Sequence, residues 1–181
     1  MYMSQTEVSN KQYMNFLKSL SKEDSLKNLP KSKMWKSKTG ETNPMEEYYF
    51  RHPAYQNYPV VNITHEQAIA YCEKYTELLN RTYPNQKVLV RLPTEKEWEE
   101  AAKAGNHFAI YPWGTETMRV KSGKRKGQLL ANFVRGRGRF VGTSGEWNKN
   151  IEITAPVTAY WPNDFGLYNM SGNVSEMIAE K

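Results

Sequence analysis

Arg91-Leu92-Pro93-Thr94-Glu95-Lys96-Glu97-Trp98-Glu99-Glu100-Ala101-Ala102-Lys103-Ala104-Gly105 spells out a helix from cap to cap. Thr94 stands three residues before Glu97, the spacing at which a hydroxyl and a carboxylate satisfy each other's orphan backbone N–H groups. Pro93 sits just before the cap. Trp98, Ala101 and Ala102 then follow at the i, i+3, i+4 rhythm of a half-buried helix. Gly105 supplies the left-handed residue that closes such helices.

The same device recurs twice upstream. Ser9 and Gln12 precede Tyr13, Phe16, Leu17 and Leu20, while Thr64 and Gln67 precede Ala68, Tyr71, Cys72, Tyr75 and Leu79. Both patterns predict capped helices with one apolar face. Two strand-like pieces, Val60-Val61-Asn62-Ile63 and Val88-Leu89-Val90-Arg91-Leu92, each lead into a cap. Asn28 to Pro44 is polar and reads as a surface loop. Beyond Tyr111 periodicity fades, and Gly, Pro, Asn and aromatics take over. So much irregular backbone needs partners for its N–H and C=O groups. Side-chain amides, aromatic hydroxyls and bound cations are the available solutions. The fold class expected is α+β: about three main helices, few short strands and much loop, in a single domain over 1–181.

Composition agrees. Of 181 residues, 39% are hydrophobic and 13% aromatic, with 12 Tyr and 5 Trp. Aromatic wealth argues against disorder. Cys72 is the single cysteine, so neither an internal disulfide nor a thiolate metal cluster can be built from this chain. No apolar run reaches transmembrane length, and no basic-then-apolar leader opens the chain. The net charge of +6 concentrates between Arg119 and Arg139, with eight Lys or Arg and no acidic residue. Phe133 and the adjacent Phe140 are the aromatics there, too few for a base-stacking surface. The run therefore reads as a solvated basic loop with no specific nucleic-acid partner. His52, His65 and His107 lack metal-ligand spacing, and Gly136-Arg137-Gly138 is not a phosphate loop. Glu95, Glu97, Glu99 and Glu100 read as a solvated helix face.

Several blocks resemble, in order, those of formylglycine-generating-enzyme-like (sulfatase-modifying-factor) domains. They are Thr6-Glu7-Val8-Ser9-Asn10 with Tyr13 and Phe16-Leu17; Tyr58 to Thr64 with Ala68 and Ala70-Tyr71-Cys72; and Arg91 to Glu99 with Ala101-Ala102. Tyr111-Pro112-Trp113-Gly114, Ala131-Asn132, Ala155-Pro156-Val157 and Phe165 to Val174 follow. The resemblance implies a C-type-lectin-like fold. Tyr48 to Tyr55 further resembles a Bacteroidetes branch that includes gliding-motility lipoproteins. That implies an extracytoplasmic setting, in the periplasm or at the outer membrane, with protein partners of the cell envelope.

The resemblance also implies sites. A calcium site would draw on Asn169, Gly172, Val174 and Glu176, through side chains and backbone carbonyls. Without an ion, Asn169 and Asn173 would simply hold turns. A second calcium site would use Asn132, Phe133 and Ile151, but its expected Asp falls on Lys149, whose ammonium repels a cation. The second site is therefore expected to be lost. Family oxidases hold copper with a cysteine pair downstream of the block ending at Val174, a region this chain stops short of. The chain is accordingly expected to be truncated at its C-terminal end, and no catalytic residue is assigned. Cys72 is read as core, and Ser175 and Met177 stand where the family has Trp. Three functions follow as expectations: a noncatalytic envelope module connected with gliding motility or secretion, a truncated formylglycine-generating oxidase, or a lectin-type ligand-binding module.

Overall fold

The computed structural model describes residues 2–31, 45–133 and 154–179. Its helices begin where the caps predict. Helix α1 (Asn10–Lys18) starts behind Ser9, whose hydroxyl accepts from the Gln12 N–H, while Gln12 Oε1 accepts from the Ser9 N–H at 2.8 Å. Helix α2 (Lys22–Lys27) and the one-turn α3 (Met45–Tyr48) follow. The 3₁₀ turn Pro53–Tyr55 has His52 Nδ1 accepting from the Ala54 N–H at its start. Helix α4 (His65–Thr82) repeats the reciprocal cap with Thr64 and Gln67. Helix α5 (Glu95–Lys103) starts on the residue after Thr94. Its end is closed by Ala104 and Gly105, both at positive φ. None of the described helices is long and apolar enough to cross a membrane.

Helix α2 has no buried residue and hence no periodic signal. It is held by its own ends, where Ser21 accepts from the Asp24 N–H.

The strand expectation is corrected. The described residues hold two isolated bridges, Ser9 with Pro59 and Arg119 with Leu129, in place of the two strands expected at Val60–Ile63 and Val88–Leu92. The reason lies in the hydrogen bonding. Asn80 receives the Val88 N–H and donates to its carbonyl, both at 2.9 Å. Thr76 Oγ1 receives the Val90 N–H at 2.9 Å. Helix side chains thus take the partners that a neighbouring strand would have taken. Four helical residues rise about 6.0 Å and two extended ones about 6.6 Å, so the spacings match.

Contacts divide the chain into two units. One comprises Val8–Glu95 with Met177–Lys181. Its core is Tyr13, Phe16 and Leu17, with Tyr71 of α4 packed against them. Tyr71 stacks on Tyr13, and Phe16 meets it edge-on at 5.3 Å. Burying each such side chain contributes about 1.5–3 kcal/mol. The α4 face is narrower than its pattern suggests, because Tyr75 is exposed. Irregular backbone is pinned by side chains: buried Asn10 donates to the carbonyls of Tyr49 and Tyr55, and the Tyr49 hydroxyl donates to Pro59.

The other unit comprises Met1–Glu7 with Lys96–Glu176. Here Ala101 and Ala102 of α5 pack against Leu167 and Met170, flanked by Trp98 and Met3. Asn163 joins these elements. Its Nδ2 donates to the Ala101 and Ala102 carbonyls at 2.8 and 3.3 Å, and its Oδ1 accepts from the Phe165 and Leu167 N–H groups.

Candidate functional site: a carboxylate–amide framework

Within this second unit, the N-terminal stretch runs beside Tyr168, whose N–H donates to the Gln5 carbonyl at 2.8 Å. That contact sets Glu7 beside the loop beginning at Asn169. The loop is tightly wound: Asn169, Gly172 and Asn173 all have positive φ. Asparagine tolerates that region and glycine is at home in it. Gly172 is also obligatory for space, since a Cβ there would overlap the Asn132 carbonyl oxygen. The same oxygen accepts from the Asn173 N–H at 2.8 Å.

The two asparagines reach far beyond their own turns. Asn169 Nδ2 donates to Glu7 Oε2 at 2.8 Å and to the Val157 carbonyl at 3.1 Å. Asn173 Nδ2 donates to Glu7 Oε1 at 2.8 Å and to the Ala155 carbonyl. Asn173 Oδ1 accepts from the Ala155 N–H at 2.7 Å and from Asn132 Nδ2 at 3.1 Å. Glu176 Oε2 accepts from the Trp98 indole N–H. Asn169 and Asn173 are therefore long-range pins, which replaces the reading of them as local turn holders.

Two carboxylates share this region. Burial pushes the Glu7 carboxyl from its ordinary 4.5 up to about 7; the Asn169 and Asn173 hydrogen bonds pull it down, and repulsion from Glu176 pushes it up again. Burial also raises Glu176, opposed by its bond from Trp98, although its side chain still reaches solvent. A carboxyl whose folded pKa lies above its unfolded value stabilises the fold fully below the lower value. That contribution is lost as pH rises through the upper one. In chelator-containing buffer, stability is expected to fall between about pH 5 and about pH 8, by roughly 1–3 kcal/mol from Glu7. Thermal melts across that range check it: Glu7→Gln should flatten the slope, and equal slopes would refute the assignment.

The structure brings the expected calcium set onto one loop. Asn169, Gly172, Val174 and Glu176 lie within eight residues, and Asn132 touches the same loop. Among the described residues, no hydrogen bond reaches Asn169 Oδ1 or the carbonyls of Gly172 and Val174. No group of three or more His, Cys, Asp or Glu occurs among them either. A cation here would therefore be held largely by amide and carbonyl oxygens. That donor set suits a hard ion such as calcium and fits the expected group. For the second set, the Asn132 carbonyl is engaged by Asn173, Phe133 is half-buried, and Ile151 and Lys149 lie outside the described residues.

Glu7 is the member that sequence reading missed. Its signal was available, since it stands in the opening block, but nothing local says that it meets residues more than 160 positions away. Cys72 is half-buried rather than fully buried, and burial, reinforced by Glu73, pushes its thiol up. The neutral thiol is thus favoured. His65 Nε2 pairs with the Ile178 carbonyl at 2.9 Å. Asn80 and Asn173, both in glycosylation sequons, use their amides in structure. The described part of the basic run forms a hairpin-like excursion closed by Val120–Gln128 and Met118–Leu130 bonds. Lys121, Lys124, Arg125 and Lys126 are exposed on it, with the Arg125 guanidinium over the Trp161 ring.

Fold and framework together define a small mixed domain whose loops are pinned by side-chain amides around two carboxylates. The chain belongs to the family of sulfatase-modifying factor enzyme 1-like domains, whose model matches residues 1–181. It is 36% identical over 124 residues to the formylglycine-generating enzyme of Mus musculus, covering 68% of this chain and 27% of that protein. It is 38% identical over 124 residues to that of Thermomonospora curvata, covering 68% and 34%. A Bos taurus protein named inactive C-alpha-formylglycine-generating enzyme 2 is 31% identical over 147 residues, covering 76% and 40%. The aligned stretch thus spans between 27% and 40% of these relatives' length.

Proposed function

We infer that this stretch is the cation-bearing framework of a single C-type-lectin-like sulfatase-modifying-factor domain, and that it serves as a noncatalytic structural or binding module. One observation carries the reading: Glu7, Asn169, Asn173 and Glu176 converge on a loop whose Asn169 Oδ1, Gly172 and Val174 oxygens accept no bond among the described residues. Calcium, held by Asn169, Gly172, Val174 and Glu176, would lock the loop by supplying positive charge to the Asn169, Gly172 and Val174 oxygens, which accept no hydrogen bond among the described residues. The set at Asn132, Phe133 and Ile151 is the weaker one, because Lys149 stands nearby in sequence. The resemblance of Tyr48 to Tyr55 supports an extracytoplasmic cell-envelope setting with protein partners.

Metal analysis of the purified protein and melting with calcium or chelator test this. Calcium at 100 times its Kd is expected to stabilise the fold by about 2.7 kcal/mol, several degrees in Tm. Absence of bound metal together with no shift sinks the reading.

The names of the relatives favour a second reading, in which the stretch is part of an oxidase that converts a sulfatase cysteine to formylglycine. Copper would then be held by cysteines outside this sequence, since Cys72 offers a lone, half-buried thiol. The adjoining gene sequence separates the two: a pair of closely spaced cysteines there favours the oxidase.

A further inference from the structure

We propose that the tip of the hairpin 118–130 is a docking surface for an acidic protein segment. The Arg125 guanidinium, held over Trp161, is its carboxylate receptor, and Lys121, Lys124 and Lys126 surround it. This rests on the binding-module part of the reading above and not on its cation. From 121 to 127 every residue is a cation, a serine or a glycine. Lys121, Lys124, Arg125 and Lys126 are all exposed. Among the described residues none of the four joins an ion pair or donates a side-chain hydrogen bond. Uncompensated charge of one sign, concentrated on a projecting element, raises the local concentration of an oppositely charged partner.

The hairpin holds these cations in a fixed frame. The Val120 N–H donates to the Gln128 carbonyl and the Gly127 N–H to the Val120 carbonyl, both at 2.9 Å. The Arg119 guanidinium donates to the Gly127 carbonyl at 2.6 Å. Within the tip the Lys126 N–H donates to the Gly123 carbonyl at 3.1 Å, and Gly123 and Gly127 both take positive φ. At the base Leu129 and Ala131 are buried. The Arg125 guanidinium lies 4.9 Å from the centroid of the Trp161 ring, and Trp161 in turn lines a small cavity with Trp113 and Leu130. A guanidinium held over a ring keeps the N–H groups of its edge for a planar, two-oxygen acceptor.

A protein carboxylate suits this surface better than the two other common polyanions. Single-stranded nucleic acid is gripped through stacked bases as well as phosphates. Here Trp161 already carries Arg125, and Tyr111 and Trp113 stack on each other at 4.9 Å. An anionic membrane is held by buried apolar side chains beside the basic ones, and the tip offers none. A segment presenting Asp or Glu at short intervals matches the row from Lys121 to Lys126.

The test is fluorescence anisotropy of a short labelled oligoglutamate titrated with the protein at physiological ionic strength. Phosphatidylglycerol vesicles and a DNA oligonucleotide are measured alongside, and circular dichroism follows folding. Saturable peptide binding that weakens with salt is expected. Lys121→Glu/Lys124→Glu/Lys126→Glu should weaken it at least about tenfold. Lys11→Glu/Lys18→Glu/Lys22→Glu makes the same change of net charge on exposed residues of the other unit. It should stay within about threefold of wild type, because screening confines the effect to nearby charge. Arg125→Lys keeps the charge and gives up the planar fork, so a loss of about three- to fivefold is expected.

Absence of saturable peptide binding overturns the proposal. So does an Arg125→Lys variant that binds like wild type, or a control variant that loses as much as the hairpin variant. Vesicles or oligonucleotide that bind more tightly than the peptide, with the same dependence on Arg125, overturn the choice of an acidic segment. If the triple hairpin variant does not fold, Arg125→Lys decides alone. Wild-type protein that calcium stabilises but that ignores the peptide refutes this surface and leaves the cation framework standing. Peptide binding with no effect of calcium on melting supports the surface and refutes the framework.

Discussion

Gly172→Ala is expected to destabilise the protein by at least about 3 kcal/mol, enough to leave little folded protein at 37 °C if total stability is typical. Two costs combine. The residue holds φ +80°, where an L side chain is strained by about 1–2 kcal/mol. The added Cβ would also overlap the Asn132 carbonyl oxygen, a backbone atom that cannot swing aside as a flexible side chain could. If that oxygen retreats, the 2.8 Å bond from the Asn173 N–H is lost. Asn173 then drags on Ala155 and Glu7, to which its side chain is tied. Denaturant titration of Gly172→Ala checks this, and a midpoint equal to wild type refutes it. Substitutions at Gly123, whose Cβ direction is open space, isolate the φ cost from the clash.

Asn163→Leu should be nearly as severe, at about 3–5 kcal/mol, since each buried group left without a partner costs about 1–3 kcal/mol. The change strips the Ala101 and Ala102 carbonyls of a donor and the Phe165 and Leu167 N–H groups of an acceptor. Asn163 is itself buried, so water cannot readily replace it. Asn163→Asp separates the halves. The carboxylate keeps both N–H donors but faces two carbonyl oxygens where the amide donated. It should be strongly destabilising at neutral pH and partly rescued in acid, where the protonated carboxyl donates again. Melting curves at both pH values decide, and an Asp variant with flat pH response would show that the donating half carries little.

These two residues show where sequence reading stops. Capped helices were legible because a cap is a local exchange: Ser9 with Gln12 and Thr64 with Gln67 each close within four residues. The α5 face was legible because Trp98, Ala101 and Ala102 recur at helical spacing and do pack on Leu167 and Met170. The need for side-chain amides and Tyr hydroxyls on irregular backbone could be foreseen, but not their pairings. Asn163 reaches back more than 60 residues and Glu7 forward more than 160, and no periodicity marks either. Val88–Leu92 was misread as a strand because alternation and β-branching measure extension, not the identity of the partner. Helix α2 escaped notice because it buries nothing.

That extended segment has a consequence for behaviour in a crowded cell. Val88-Leu89-Val90 is a short β-prone run between Lys87 and Arg91, and Leu89 is 76% exposed. Thr76 and Asn80 occupy hydrogen-bonding groups on that edge from a helix, which offers no further edge to the next molecule. An unpaired strand invites addition; an edge answered by helical side chains ends the ladder where it begins. The two polar side chains on α4 thus occupy the edge that carries Val88 and Val90 from within the same chain.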